Sequence, residues 1–185
     1  MDNENQFPIG FEERAANAGG TILPPAADDI PAVRVDAENL IALITSLRDG
    51  PGARFDMLID VFSVDEHPAS PRFDVIYHLR RLETGEIVRI KAFAEGKKHE
   101  IPSVTALYPT ANWHEREAYD MMGITFTGHP DPRRILMSHE FEYFPLRKDF
   151  PLEGIEPDRL FNERFPEKSI GSMHQKLPGE EHSGS

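Results

Sequence analysis

Phe73-Asp74-Val75-Ile76-Tyr77-His78-Leu79-Arg80, then Arg81-Leu82-Glu83-Thr84-Gly85-Glu86, then Ile87-Val88-Arg89-Ile90-Lys91-Ala92-Phe93-Ala94, are two strand-forming runs around a polar turn. Phe73, Val75, Tyr77 and Leu79 alternate with Asp74, Ile76, His78 and Arg80, the period-2 pattern of a strand with one face on a core. Glu83-Thr84-Gly85-Glu86 makes the tight turn, and the chain returns as a strand over 87–94. Upstream, Phe55, Met57, Ile59 and Val61 alternate with Asp56, Leu58, Asp60 and Phe62 in a further strand. No βαβ alternation continues through the chain, so these strands predict a small, mostly antiparallel sheet of an α+β fold.

Ahead of the sheet, Ala32–Val35 is a short strand candidate, and Asp36 is placed to cap a helix. Leu40, Ile41, Leu43, Ile44 and Leu47 recur at helical spacing and predict one apolar stripe facing the sheet. Gly50-Pro51-Gly52 stops this helix, with Gly50 suited to a left-handed cap. After the sheet, Ile101-Pro102-Ser103 opens a second short helix to about Tyr108. Pro109 closes it, and Thr110 can cap a third helix over about 111–122.

Composition sets the outer limits. The chain has 185 residues with a formal charge of −12 and no cysteine. Residues 1–66 hold 4 basic and 13 acidic side chains, whereas 67–150 hold 12 of each. Such an acidic protein is a poor match for nucleic acid or anionic lipid. The absence of cysteine removes disulfides, thiolate metal sites, catalytic thiols and clusters held by this chain alone. No apolar run reaches the roughly 18 residues of a membrane span, and the first residues lack the pattern of a signal peptide. A soluble, cytosolic-side protein is the expectation. Residues 1–31, with Gly19-Gly20, Pro24-Pro25 and Asp28-Asp29, read as a flexible arm with one helical turn near 11–18. The folding unit spans 32–150, and 151–185 reads as an extended strap and tail.

The third helix is unusual. In Trp113-His114-Glu115-Arg116-Glu117-Ala118-Tyr119-Asp120-Met121-Met122-Gly123, four successive polar residues sweep roughly 300° around the axis. Some of these charges must face the core or a second protein, and Arg116 is expected to pair with Asp120 or a distant acid. Read by pattern alone, this is an ion-pair-laced structural helix. Beyond it, a short strand at 124–127 enters a loop where Gly128 allows close backbone approach and Pro130 and Pro132 fix φ. Phe144-Pro145-Leu146-Arg147-Lys148-Asp149-Phe150-Pro151-Leu152 then reads as a strap laid over another surface.

The run from Trp113 to Ile124 resembles the signature of the C-type (30-kDa-type) subunit of proton-pumping NADH–quinone oxidoreductase, respiratory complex I. Phe126, Gly128-His129-Pro130 and Arg134-Ile135-Leu136 continue that signature in register. Residues 145–152 and Ile101-Pro102-Ser103-Val104-Thr105 resemble further parts of it. The resemblance covers about 33–155, departing at Met122, where the family often has Phe, and at Pro132 in a variable loop position.

The resemblance implies a cofactor-free, non-catalytic peripheral-arm subunit, with FMN and iron–sulfur clusters in other subunits. Electrons would pass from NADH to quinone, coupled to proton translocation. Partners would be the D-type subunit that helps form the quinone site and the B-type and I-type subunits, at the cytoplasmic face of the bacterial inner membrane. Trp113, Glu115, Arg116, Glu117, Tyr119, Asp120 and Gly123 would fix the helix to its neighbours. Phe126, Gly128, His129, Pro130, Arg134, Arg147, Lys148 and Asp149 would belong to the inter-subunit surface. A related subunit of a membrane-bound hydrogenase or ferredoxin-type dehydrogenase is the nearest alternative.

Other chemistries find little support. His114-Glu115 and His139-Glu140 begin like a zinc-binding helix but place Ala118 and Tyr143 where the second histidine belongs. Glu115, Glu117 and Asp120 could form the acid/base set of a small hydrolase, yet no nucleophile, phosphate loop or oxyanion pair accompanies them. Arg80-Arg81, Lys97-Lys98 and Arg133-Arg134 are too scattered for a nucleic-acid face.

Overall fold

The computed structural model describes residues 7–24, 26–94, 99–152 and 154. The chain divides into two units, Met1–Phe150 and Pro151–Ser185. In the second, the described residues hold one turn bond, from Gly154 N–H to the Pro151 carbonyl.

The first unit is α+β. Its elements are α1 (Phe11–Asn17), β1 (Thr21–Ile22), β2 (Ala32–Val35), α2 (Ala37–Asp49), β3 (Met57–Asp65), β4 (Phe73–Arg80), β5 (Ile87–Phe93), β6 (Glu100–Pro102), α3 (Ala111–Met122) and β7 (Thr125–Thr127). Five strands form one sheet in the order β1-β2-β5-β4-β3. The alternation in β4 and β5 produces the antiparallel hairpin, with Tyr77 opposite Ile90 and Leu79 opposite Val88. β2 instead joins β5 in parallel. Helix α2 buries Leu40, Leu43, Ile44 and Leu47, the stripe its spacing requires, in the core that also holds Val33, Val75, Tyr77, Leu79 and Ile90.

Four expectations need correction. Residues 101–108 form no helix. Ile101 lies in β6, which pairs in parallel with β7 opposite Phe126. Ser103 continues that pairing through its N–H to the Thr127 carbonyl at 2.9 Å, and its hydroxyl accepts from Thr105 N–H at 3.2 Å. The remaining residues make only a turn, with Leu107 and Tyr108 N–H both on the Val104 carbonyl. So short a segment gains more from strand pairing than from one helical turn.

Gly50 is not a left-handed cap; its φ is −69°. A Cβ there would collide with the Arg14 guanidinium and the Ser46 carbonyl. Arg14 caps α2 from outside, donating to the carbonyls of Ser46 at 2.9 Å and Pro51 at 2.8 Å. Asp36 and Thr110 occupy the N-cap positions without a side-chain capping bond.

The described part of the expected arm carries defined structure instead. Phe11 and Ala15 of α1 are buried in the core, and β1 pairs with β2. Phe7 stacks on Phe11 with ring centroids 6.0 Å apart. A single well-placed aromatic anchors the segment despite its glycines and prolines. Replacing Phe11 by Ala is therefore expected to remove about 3–4 kcal/mol of stability, seen as a lower thermal midpoint of the purified chain. An unchanged midpoint would contradict the packing of α1.

Candidate functional site

Helix α3 lies against β3, burying Ala111, Ala118 and Met121 along with two carboxylates, Glu115 and Asp120. Both acids are fully removed from solvent. Their surroundings differ.

Asp120 sits in a cradle of donors. Its Oδ2 accepts the N–H groups of Ile135, Leu136 and Met137 at 3.0, 2.7 and 2.9 Å. Arg134 Nη1 donates to Oδ1 at 2.5 Å. Burial alone would raise this carboxyl, but the bonds from Met137, Arg134, Leu136 and Ile135 prevail and hold it below the ordinary carboxylate range. Arg134 is in turn packed by aromatic rings, 5.1 Å from the Phe144 centroid and 5.9 Å from that of Tyr119. It also donates to the Tyr143 carbonyl at 3.2 Å.

Of the two partners expected for Arg116, Asp120 or a distant acid, the structure gives the distant acid, Asp131. Arg116 donates to the carbonyls of Arg133 at 2.8 Å and Arg134 at 3.2 Å, with the Asp131 carboxylate 3.7 Å away. The i, i+4 spacing permitted the pair with Asp120, but four better-aimed donors had already taken that carboxylate.

Glu115 has a poorer environment. Its Oε1 accepts Val104 N–H at 2.7 Å, while Oε2 is buried without a hydrogen-bond partner among the described residues. Burial pushes its carboxyl up to about 7 against the opposing influence of the nearby Ser103 hydroxyl and the Val104 N–H. His129 Nε2 lies 3.9 Å from this orphaned oxygen. Its Nδ1 accepts Asp131 N–H at 3.0 Å, which leaves the ring proton on Nε2, 3.2 Å from the Asn112 carbonyl. On β4, the buried Tyr77 hydroxyl also lacks a hydrogen-bond partner among the described residues and is raised by its burial and then by the charge of Glu115. A cavity of about 300 Å³ opens here, lined by Glu115, Arg116, Tyr119, Thr125, Phe126, His129 and Pro132. A second cavity of about 300 Å³ runs between α3 and β3, where the lining includes Asp60, Glu117, Met121, Met122 and Leu146.

The end of α3 is tied to the following segment. Gly123 has φ 73° and donates its N–H to the Tyr119 carbonyl at 2.8 Å. A Cβ at this position would strike Phe144 and the Arg147 guanidinium. Arg147 donates to the Met122 carbonyl at 2.7 Å, a cation at a helix C-terminus, and stacks 4.4 Å from the Phe144 centroid. Arg72 clamps both Asp65, at 2.9 and 2.7 Å, and Asp149, at 2.8 and 2.7 Å. Lys148 N–H reaches Asp65 Oδ2 at 2.8 Å. The arginine and the backbone bond pull the Asp65 carboxyl far below its ordinary range against its burial.

Arg147, Asp149 and the Lys148 backbone thus serve this domain's own fold, while the Lys148 side chain points to solvent. Trp113 is 63% exposed, with the Arg116 guanidinium 5.3 Å from its ring centroid. Glu117 and Pro130 are exposed, Phe126 is in the core, and Gly128 (φ 82°) has open space around its missing Cβ, so it serves the turn and not a close approach. The three acids considered as an acid/base set do not converge: Asp120 is sealed, Glu117 is outside, and Glu115 borders a cavity alone. Among the described residues no three His, Asp or Glu side chains gather to hold a metal ion. Sequence reasoning misses Asp65 and Arg72; their opposite charges flanking the β3–β4 connection are the available signal.

Glu115 gives a pH signature. Its folded value lies above the ordinary 4.5, so its stabilising contribution is complete below that value and is lost as pH rises through about 7. His78 and His99, lowered by burial and then by neighbouring arginines, bend the profile the opposite way below their ordinary value. Glu115→Gln shares those histidines, so the difference between the two proteins isolates the carboxyl. From pH 5 to pH 8, Glu115→Gln is expected to gain on the wild type by about 2–3 kcal/mol in denaturant unfolding. A difference constant with pH would contradict the burial of an unpaired carboxyl.

Residues 33–156 match the family described as respiratory-chain NADH dehydrogenase, 30 Kd subunit. The C subunit of the NADH-quinone oxidoreductase of Sinorhizobium medicae (strain WSM419) is 53% identical over 127 residues, covering 69% of this chain and 63% of that protein. The chain therefore spans less than two thirds of that relative's length. Among solved structures, the trypsin-resistant fragment (1-134) of Nqo5 superposes with a TM-score of 0.59 at 27% identity, covering 69% of this chain and 99% of the fragment. A chain of the membrane-bound sulfane sulfur reductase, an archaeal respiratory membrane complex, gives 0.62 at 19% identity over 94% of this chain and 95% of that one, a likeness of fold alone. The matched range agrees with the extent of the resemblance, and the chain belongs to the family of the 30-kDa subunit of respiratory-chain NADH dehydrogenase.

Proposed function

We propose that this chain is a peripheral-arm subunit of a bacterial NADH–quinone oxidoreductase that binds no cofactor and acts by joining other subunits. In this reading FMN and the iron–sulfur clusters reside in partners, electrons pass from NADH to quinone, and proton translocation is carried out by the membrane arm. The neighbours are the D-type subunit of the quinone site together with the B-type and I-type subunits, at the cytoplasmic face of the inner membrane.

The observation that carries the reading is the contrast around α3. Its buried groups are mostly spent on internal bonds, yet Trp113, Leu136, Tyr143 and Leu146 stand exposed on α3 and the segments that follow it. Large apolar side chains left exposed on a helix and the segments after it are the makings of a protein interface. Among the described residues no helix is long and apolar enough to cross a membrane, which accords with attachment through partners. The shared fold with a chain of a sulfane sulfur reductase complex keeps a second reading open, in which the same scaffold serves a complex with another electron donor, such as a membrane-bound hydrogenase.

Affinity-tagging the chain in its native host, followed by gentle solubilisation, tests both. Flavin and iron–sulfur subunits should co-purify with NADH-dependent quinone reductase activity. Recovery of a hydrogenase large subunit would move the chain to the second reading. Recovery of the chain alone as a soluble monomer would contradict the interface itself.

A further inference from the structure

We propose that the cavity beside α3 receives one arginine side chain from a neighbouring subunit, whose guanidinium bonds the unpartnered Oε2 of Glu115. This deepens the subunit reading above and rests on it.

The first support is the chemistry left incomplete. Glu115 Oε2 is a buried acceptor with no hydrogen bond among the described residues, and Glu115 lines the cavity. Buried polar atoms are almost always bonded, and each one left unmet costs free energy. A buried carboxylate oxygen beside a cavity calls for a donor, and guanidinium offers five N–H donors and no acceptor.

No cation of the described chain fills the role. Arg116 is turned to the carbonyls of Arg133 and Arg134 and toward Asp131. Arg134 is held by Asp120. His129 directs its Nε2 proton to the Asn112 carbonyl and stays 3.9 Å away.

The shape of the cavity selects the donor. At about 300 Å³ it is far roomier than one water requires, and Tyr119 and Phe126 form part of its lining. A flat, delocalised cation stacks on aromatic rings and keeps its charge when desolvated, whereas a buried lysine ammonium readily loses its proton. Insertion would favour the ionised form of Glu115 and release to solvent the proton that burial helps this carboxyl keep, so the filled site is an ion pair. An uncompensated carboxylate at this depth is unfavourable, and a guanidinium bonded to it would offset that cost.

The test compares wild type, Glu115→Gln and Pro132→Trp, each tagged and expressed in the native host in place of the chromosomal copy. Retention of the tagged chain in the solubilised complex is read on native gels across a salt series. Glu115→Gln keeps the size of the side chain and its acceptor for Val104 but cannot become an anion. Pro132 is exposed at the cavity lining, so a tryptophan there obstructs the cavity while leaving the carboxyl intact. Both variants are expected to be retained about tenfold less or worse, while purified Glu115→Gln melts at or above the wild-type temperature at pH 7.5.

Wild-type retention of Glu115→Gln would overturn the proposal, since water would then suffice for the orphaned oxygen. Loss of retention in Pro132→Trp alone would overturn it too, by showing that the occupant is uncharged. Should Glu115→Gln fail to fold by itself, normal retention of Pro132→Trp still overturns it and a tenfold loss supports it. If the wild-type chain brings down no other subunit, it is the subunit reading that fails.

Discussion

The carboxylate of Asp120 imposes the constraint on which the rest of the site depends. A negative charge on the inner face of a helix costs several kcal/mol unless it is matched by donors. Here one guanidinium and three consecutive backbone N–H groups converge on it. The backbone of 135–137 must therefore turn inward over α3, and Arg134 must lie among the rings of Tyr119, Phe141 and Phe144. Phe144 then covers the bare face of Gly123, and Arg147 closes the end of the helix through the Met122 carbonyl. Arg147 also lies 5.3 Å from the ring of Phe73, so the chain of contacts starting at one carboxylate ends on the central sheet.

Two acids on one helix, five residues apart, thus have opposite fates. Asp120 is charged and complete; Glu115 is starved of donors and shifted toward neutrality. The difference follows from which loop covers each. The segment after Arg134 supplies N–H groups to Asp120, whereas the turn at His129 spends its ring on Asn112 and on Asp131. The first arrangement builds a rigid platform, and the second leaves that platform with an unfilled cavity at its side.

Much of this was legible in the sequence. β2 and β4 could be bounded because both are short runs rich in apolar and β-forming residues, nearly all of them buried, and α2 because its stripe is continuous. The parallel pairing of β2 with β5 was not legible, since strand patterning fixes which face is buried and not which neighbour lies alongside. Residues 101–108 misled because Pro102 and Ser103 suit a helix start as well as a strand end, and the choice was made by β7, more than twenty residues away. Some of the α3 charges were expected to face the core or a second protein, and Glu115 and Asp120 face the core, but helix spacing points to neighbours one turn along and cannot see Arg134 in a loop. Arg147 and Asp149 carried the mark of an interface strap, yet their partners, the Met122 carbonyl and Arg72, lie within the same domain.

Amide hydrogen exchange on the isolated chain, wild type against Asp120→Asn, tests the central claim most directly. In the wild type the amides of Ile135, Leu136 and Met137 should be protected as strongly as those in the middle of α3. In Asp120→Asn they should exchange about a hundredfold faster, with β4 and β5 unaffected. Wild-type amides at 135–137 that exchange at unprotected loop rates, beside a protected α3, would contradict the claim that this carboxylate organises the site.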